Sequence, residues 1–185
     1  MIDLSTKRAL VIGAGGLGGP AAIGLAAAGV GTITILDPDT VDATNLGRQV
    51  LFGDADVGRE KAVVAAEAIR ARFPAIDVLP IVARFERDET SRAFVRTHDV
   101  VLDGSDNFPT RFAANDLCVS ARRPLVHGAA LQWLGQLLAI VPGVTPCLRC
   151  AFEDEPPGRG ITCAEAGVVT PRVGRVGARM AAEAV

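Results

Sequence analysis

"RALVIGAGGLGGPAAIGLAAAGVGTITILD", residues 8–37, decides the fold. Its first five residues are a short, mostly apolar run that stops at Gly13, as a buried strand does. Gly13-x-Gly15-x-x-Gly18 follows and opens a helix. Glycines at that spacing permit a tight turn and let the backbone approach a phosphate chain at the helix N-terminus. "AAIGLAAAGV" continues as a helix of small residues able to pack closely on a sheet. "GTITILD" (31–37), rich in β-branched residues, is a second strand. Asp37 closes it nineteen residues after Gly18, placed to accept hydrogen bonds from ribose hydroxyls. On these residues alone, an NAD-dependent oxidoreductase leads.

Outward from this unit, strands and helices keep alternating. "GREKAVVAAEAIRARF" (58–73) has helical periodicity and stops before Pro74. "IDVLPIVARF" (76–85) is a third strand, and Pro80 marks it as weak or at an edge. "DETSRAFVRTH" (88–98) is a short helix capped by Asp88. "DVVLDGSDN" (99–107) is the fourth strand with its loop, and "PTRFAANDLCVSAR" (109–122) the next helix. "PLVHGAA" (124–130) is a fifth strand, and "GQLLAIVPG" (135–143) a sixth, with an antiparallel strand near 135–142. The alternation predicts an α/β fold: a Rossmann-like, doubly wound, mostly parallel sheet with right-handed crossovers. Acid, proline and glycine crowd together in the loop "EDEPPGRG" (153–160).

The chain has 185 residues, a length that favours one domain, and its 49% hydrophobic and 22% charged composition excludes disorder as a whole-chain description. A formal net charge of −2 carries no polyanion-binding signature, so nucleic acid is not expected as a partner. The N-terminus lacks a signal-peptide cleavage pattern, and no apolar stretch reaches the ~20 residues a bilayer span needs. Four cysteines, two of them in the C-x-x-C of Cys147 and Cys150, suit metal or redox chemistry better than a secreted disulfide framework. The expectation is a cytoplasmic protein without a membrane role.

"LDPDTVDATNLGRQV" (36–50) changes the nucleotide. The acid that ends the second strand is followed by Asn45, Arg48 and Gln49, which a nicotinamide site does not require. Arg48 and Lys61 suit a triphosphate, whose charge density exceeds that of a dinucleotide pyrophosphate. Asp106, just past the fourth strand, falls at the carboxyl edge of the sheet, where open α/β folds bind ligands and a carboxylate can hold Mg²⁺ against phosphate. Singly, Arg48 and Lys61 read equally well as a solvated pair and Asp106 as a helix cap. His98 and His127 belong to no catalytic constellation and read as structural. Cys118, on an apolar helix stripe, reads as core.

In order, "GAGGLGG", "LDPDTVDATNLGRQ", "VGREKA", "DGSDN", "PCLRC" and "TCAEAGVVTP" resemble the ThiF/MoeB/HesA family, whose members are similar to the adenylation domain of ubiquitin-activating enzymes. The likeness runs from about residue 8 to the last residue, and "TNLGRQ" and "DGSDN" are far more specific than the glycines. It implies an adenylyltransferase (a nucleotidyltransferase) acting on a small β-grasp sulfur-carrier protein ending in Gly-Gly. The carrier's C-terminal carboxylate would attack the α-phosphate of MgATP, giving an acyl-adenylate and pyrophosphate. By the same resemblance Gly16 contacts the nucleotide and Asp37 the ribose. Asn45, Arg48 and Lys61 hold the phosphates, Asp106 the magnesium, and Asn107 lies beside the nucleotide. Thr44 and Leu46 fall in the same segment, and a homodimer is implied.

The resemblance also implies a structural zinc site, of which Cys147 and Cys150 match one half; the family's second C-x-x-C lies downstream of Val185. Cys163 aligns with a cysteine that in some relatives links covalently to the carrier, and reads equally as a small residue before a helix. An upstream helix with a nucleotide-contacting arginine has no counterpart in Lys7 or Arg8. The expectation is one ThiF-type ATP-binding domain over 1–185, short of the family's C-terminal part. Two alternatives stay open: a non-catalytic module of this fold that binds ATP or the carrier, and an NAD-dependent oxidoreductase.

Overall fold

A computed structural model describes residues 3–152 and 167–185. One sheet organises them. Its strands are β1 (Arg8–Ile12), β2 (Thr32–Leu36), β3 (Asp77–Ile81), β4 (Val100–Asp103), β5 (Leu125–Leu131) and β6 (Leu134–Ile140). They lie side by side in the order β3-β2-β1-β4-β5-β6. Every neighbouring pair is parallel except β5 and β6, which run antiparallel with Leu125 opposite Ile140. This is the doubly wound arrangement the alternation predicts, with the antiparallel strand where "GQLLAIVPG" places it. Pro80 sits in β3 at the edge of the sheet, where a missing N–H breaks no interior ladder.

Alternation along the strands separates two cores. Ala9 and Val11 of β1 face one side, with Ile33 and Ile35 of β2. The helices packed there are α1 (Gly18–Ala28), α2 (Lys61–Arg72) and α6 (Thr170–Ala184). Leu10 and Ile12 face the other side, against α3 (Glu89–Thr97) and α4 (Phe108–Ala121). The small residues of α1 allow α6 to cross it closely: a Cβ on Gly24 would lie 2.6 Å from the Cβ of Ala181. A short helix, α5 (Leu148–Ala151), completes the described elements beside two 3₁₀ turns, Ala43–Asn45 and Asp54–Asp56.

Several local readings gain a geometry. Asp88 caps α3, its carboxylate accepting from the Ser91 N–H at 2.8 Å. Cys118 is fully buried in the α4 face, and burial pushes its thiol up to about 12. His98 is buried between Thr34 Oγ1 (2.8 Å) and the Phe94 carbonyl (2.6 Å), and burial lowers its pKa. The helix expected over 58–73 starts later, at Lys61, because Gly58 adopts a left-handed φ of 86° and Glu60 bridges to Thr40. The third strand stops at Ile81, short of Phe85, which turns into the core against α4. Among the described residues no helix is long and apolar enough to cross a membrane. Cys163 and the loop 153–160 lie outside the described residues.

Candidate nucleotide site

The strand order reverses between β1 and β4, and open sheets bind ligands at the carboxyl end of that switch point. A cleft of about 910 Å³ opens there. Gly13, Gly15 and Gly16 form its floor. Gly18 does not reach the cleft: a Cβ there would lie 1.7 Å from the Gly13 carbonyl oxygen, so only glycine lets the turn close. Gly16 is held from outside. A Cβ on it would come within 2.7 Å of Val173 Cγ1 on α6 and 3.1 Å of the Arg48 carbonyl oxygen.

Asp37 stands at the end of β2, and its carboxylate accepts from the main-chain N–H of Ala14 (2.7 Å) and of Asp39 (2.8 Å). Burial raises its pKa, opposed by those two donors and by the Lys61 cation. The pinned carboxylate keeps lone pairs for hydroxyl donors on the cleft side. Lys61, at the start of α2, is buried and pairs with Asp39 at 3.1 Å. Arg48 lines the cleft and donates from Nη1 to the Thr44 carbonyl at 3.1 Å.

Asp106 and Asn107 form the opposite lip, after β4. Asn107, not Asp106, caps α4: its Oδ1 accepts from the Thr110 N–H at 3.0 Å. The exposed Asp106 carboxylate makes no hydrogen bond or ion pair with the described residues. Mg²⁺ takes one or two protein carboxylates and fills its shell with water and phosphate oxygens, so one exposed carboxylate in the cleft wall suits it. Behind this lip the buried Asp103 carboxylate accepts from the Ser105 N–H (3.0 Å) and pairs with His127 Nδ1 (2.8 Å). Complete burial would raise its pKa, but the His127 and Ser105 contacts leave it below the ordinary carboxylate range.

Besides Gly18, three expected residues do not line the cleft. Thr44 is exposed on the 3₁₀ turn, and Leu46 packs its side chain onto the core beneath. Asn45 hydrogen-bonds within its own loop, donating to Thr44 Oγ1 (3.0 Å) and accepting from Gln49 Nε2 (2.8 Å). The sequence reading missed Arg84, Arg87 and Arg111, which add cations to the cleft wall. Arg111 donates to the Ser105 carbonyl from Nε (3.3 Å) and Nη2 (3.2 Å), and Arg87 pairs with Asp116 at 2.7 Å. No spacing singles them out: two sit in the connection after β3 and one on α4. Ser105 was missed as well, and Gln49, singled out by the sequence, had no role assigned to it. Both are buried in the cleft wall, and among the described residues Gln49 Oε1 has no hydrogen-bond partner.

Cys147 and Cys150 lie apart from the cleft, with sulfurs 3.7 Å apart. That separation matches one edge of a tetrahedron with Zn–S bonds of ~2.3 Å. Burial would push the Cys147 thiol up, yet backbone donors at Cys150 and Arg149 leave it lowered. The pair fits half of a closed zinc site. Among the described residues no third or fourth ligand joins it.

The ThiF family model matches residues 1–185. The SAMP-activating enzyme E1 of Haloferax volcanii is 45% identical over 183 residues, 98% of this chain and 67% of that protein. The sulfur carrier protein adenylyltransferase of Thermus thermophilus is 44% identical over 189 residues, 97% of this chain and 69% of that protein. The adenylyltransferase and sulfurtransferase MOCS3 of Sus scrofa is 43% identical over 183 residues; the chain spans only 40% of its length. Among solved structures, E. coli MccB with ATP superposes with a TM-score of 0.81 at 26% identity, over 97% of this chain and 55% of that one.

Proposed function

From membership of the ThiF family, to which this chain belongs, we propose that it activates the C-terminal carboxylate of a small β-grasp sulfur-carrier protein ending in Gly-Gly by adenylation with MgATP. The observation that carries the reading is a cleft at the sheet's switch point, floored by Gly13, Gly15 and Gly16, that brings the cations Arg48 and Lys61 together with the carboxylates Asp37 and Asp106. The activities of these relatives support it.

The chemistry asks for neutralisation rather than for a base. A carboxylate is already nucleophilic at neutral pH, so the obstacle is bringing one anion to another. One carboxylate oxygen forms a bond to the α-phosphorus while the bond to the β-phosphate's bridging oxygen breaks and pyrophosphate leaves. Arg48 and Lys61 reduce the repulsion by offsetting phosphate charge. Lys61 is held against Asp39 in the free protein and would share its charge with the phosphates. Asp37 orients the nucleotide through its ribose. Asp106 would hold Mg²⁺, which when bound would supply Lewis-acid charge neutralisation at the phosphates. Cys163, if it forms a covalent link to the carrier, acts after this step, because attack on phosphorus gives a thiol nothing to do.

A homodimer in the cytoplasm is the setting of this reading. The β6 edge supports the dimer: Trp133 and Leu134 are 70% and 72% exposed beside it. Calorimetry tests the nucleotide: ATP should bind, more tightly with Mg²⁺, and tight NAD binding without ATP binding would overturn the assignment. Pyrophosphate exchange dependent on a Gly-Gly carrier then separates an enzyme from a module that only binds.

A further inference from the structure

Asp106 reaches into the cleft without support for its own side chain. The carboxylate is exposed and makes no hydrogen bond or ion pair with the described residues, so the main chain alone decides where its oxygens can reach. That main chain is pinned on both sides. The Gly104 N–H donates to the Ile12 carbonyl (2.9 Å), and a Cβ on Gly104 would lie 2.9 Å from the Gly18 nitrogen, so the lip cannot sink toward the glycine turn. The Ser105 carbonyl accepts from Arg111, and Asn107 caps α4. The Ser105 N–H donates to a side chain, Asp103 Oδ1 at 3.0 Å, which does not line the cleft.

Asp103 is aimed by a second residue. It is wholly buried, and a buried carboxylate costs free energy unless it is paired and hydrogen-bonded. His127 stands opposite it in the parallel register of β4 and β5, with Nδ1 2.8 Å from Asp103 Oδ2. Burial alone would raise the Asp103 carboxyl, but its contacts leave it below the ordinary range, so it is ionised and only accepts. That makes Nδ1 the protonated nitrogen of His127. One carboxylate oxygen is thereby committed to His127 and the other to the lip. In β5 His127 shares the face of Leu125, which packs on the α4 side of the sheet, and it does not line the cleft either. Asp103 and His127 can reach a ligand only through Ser105 and its neighbours.

We propose that His127 is a positioning residue for metal capture: through Asp103 it fixes the main chain at Ser105, and so presents the Asp106 carboxylate where Mg²⁺ can meet it beside the phosphates. Within the adenylation reading, on which this inference rests, His127 sets how strongly Mg²⁺ tightens ATP binding while touching neither. A pair that served only to hold β4 against β5 would leave that effect of the metal unchanged.

The test compares His127→Leu, which removes the donor, with His127→Asn, whose Nδ2 stands close to the place of Nδ1 and can still donate. Calorimetry measures ATP affinity in each protein without metal and with saturating Mg²⁺, and NMR hydrogen exchange reads the Ser105 amide. His127→Leu should weaken binding in Mg²⁺ about tenfold, the lower end of what residues orienting a metal-binding carboxylate contribute. Its metal-free ATP affinity should hold, its Ser105 amide should exchange faster, and His127→Asn should stay close to the unsubstituted protein. Equal losses with and without metal, no loss in either, or His127→Asn as impaired as His127→Leu would each overturn the role. A measurement on the unsubstituted protein applies even where His127→Leu fails to fold. There the Ser105 amide should exchange as slowly as that of Gly104, and exchange at the rate of an exposed loop overturns the pin. ATP binding that ignores Mg²⁺ in the unsubstituted protein would instead remove Asp106 as the metal carboxylate, and this inference with it. Failure to bind ATP at all would overturn the adenylation reading itself.

Discussion

Gly16→Ala tests whether the nucleotide floor is braced from outside. The added methyl would sit 2.7 Å from Val173 Cγ1 and 3.1 Å from the Arg48 carbonyl oxygen. Carbon–carbon contacts settle at ~3.5–4.0 Å, so the Val173 contact must open by about 1 Å. Val173 cannot swing aside, because a β-branched side chain on a helix has essentially one rotamer. Helix α6 or the Arg48 loop must move instead. Overpacking of this kind costs ~1–3 kcal/mol, which in a domain this size lowers Tm by roughly 4–8 °C for about 2 kcal/mol. Displacing Arg48 should also slow carrier-dependent pyrophosphate exchange, by up to ~10²-fold for a shift near 1 Å. Val173→Ala alone removes two buried carbons, about 1.6 kcal/mol. Combined with Gly16→Ala it vacates the space the new methyl needs, so the double variant should be no less stable than Val173→Ala. Calorimetric melting of the four proteins measures this cycle. Wild-type stability for Gly16→Ala, or simple additivity in the double variant, would refute the brace.

Asp106→Ala should lower carrier-dependent exchange by ~10²–10³, the usual effect of removing one electrostatic stabiliser, with a smaller effect on ATP affinity; an unchanged rate in a folded variant removes Asp106 from the site. His98 is buried with its pKa lowered from 6.5, so the unfolded chain takes up a proton that the folded one refuses. Its contribution to stability is complete above that value and is lost as pH falls below it, with a slope of up to ~1.4 kcal/mol per pH unit. Urea unfolding at several pH values should show His98→Gln with a shallower acid slope, and identical slopes would contradict this. Light scattering at micromolar concentration should report a species near twice 19.2 kDa; a clean monomer would count against the dimer.

The fold was legible because a buried parallel sheet writes itself as short apolar runs. "RALVI" became β1 without a shift of boundary, and Pro80 foretold an edge strand. Boundaries failed where loop geometry intervened, as at Gly58, whose left-handed turn delays α2. Of the expected site residues, those at strand ends or in the glycine turn, such as Gly13, Asp37 and Asp106, can be placed from spacing alone, and all three line the cleft. Arg84 and Arg87 cannot, since they follow an edge strand through a connection with no period. Asn45 is the instructive residue. The resemblance assigns it to the phosphates, and the coordinates add what no spacing shows: its amide donates to Thr44 Oγ1 and accepts from Gln49 Nε2.

Helix α6 carries a consequence for the order in which this protein assembles. Thr170 Oγ1 donates to the Gly47 carbonyl at 2.8 Å across 123 residues of sequence, and Val173 stands against Gly16. Gln132 bridges to Val168 just ahead of the helix. A ribosome delivers the glycine turn long before the helix that forms one wall of its cleft. A nascent chain holding all six strands would still lack that wall, and loop closure over such a separation is slow. Nucleotide competence therefore waits until α6 has been made and has docked, rather than arriving with the motif that signals it.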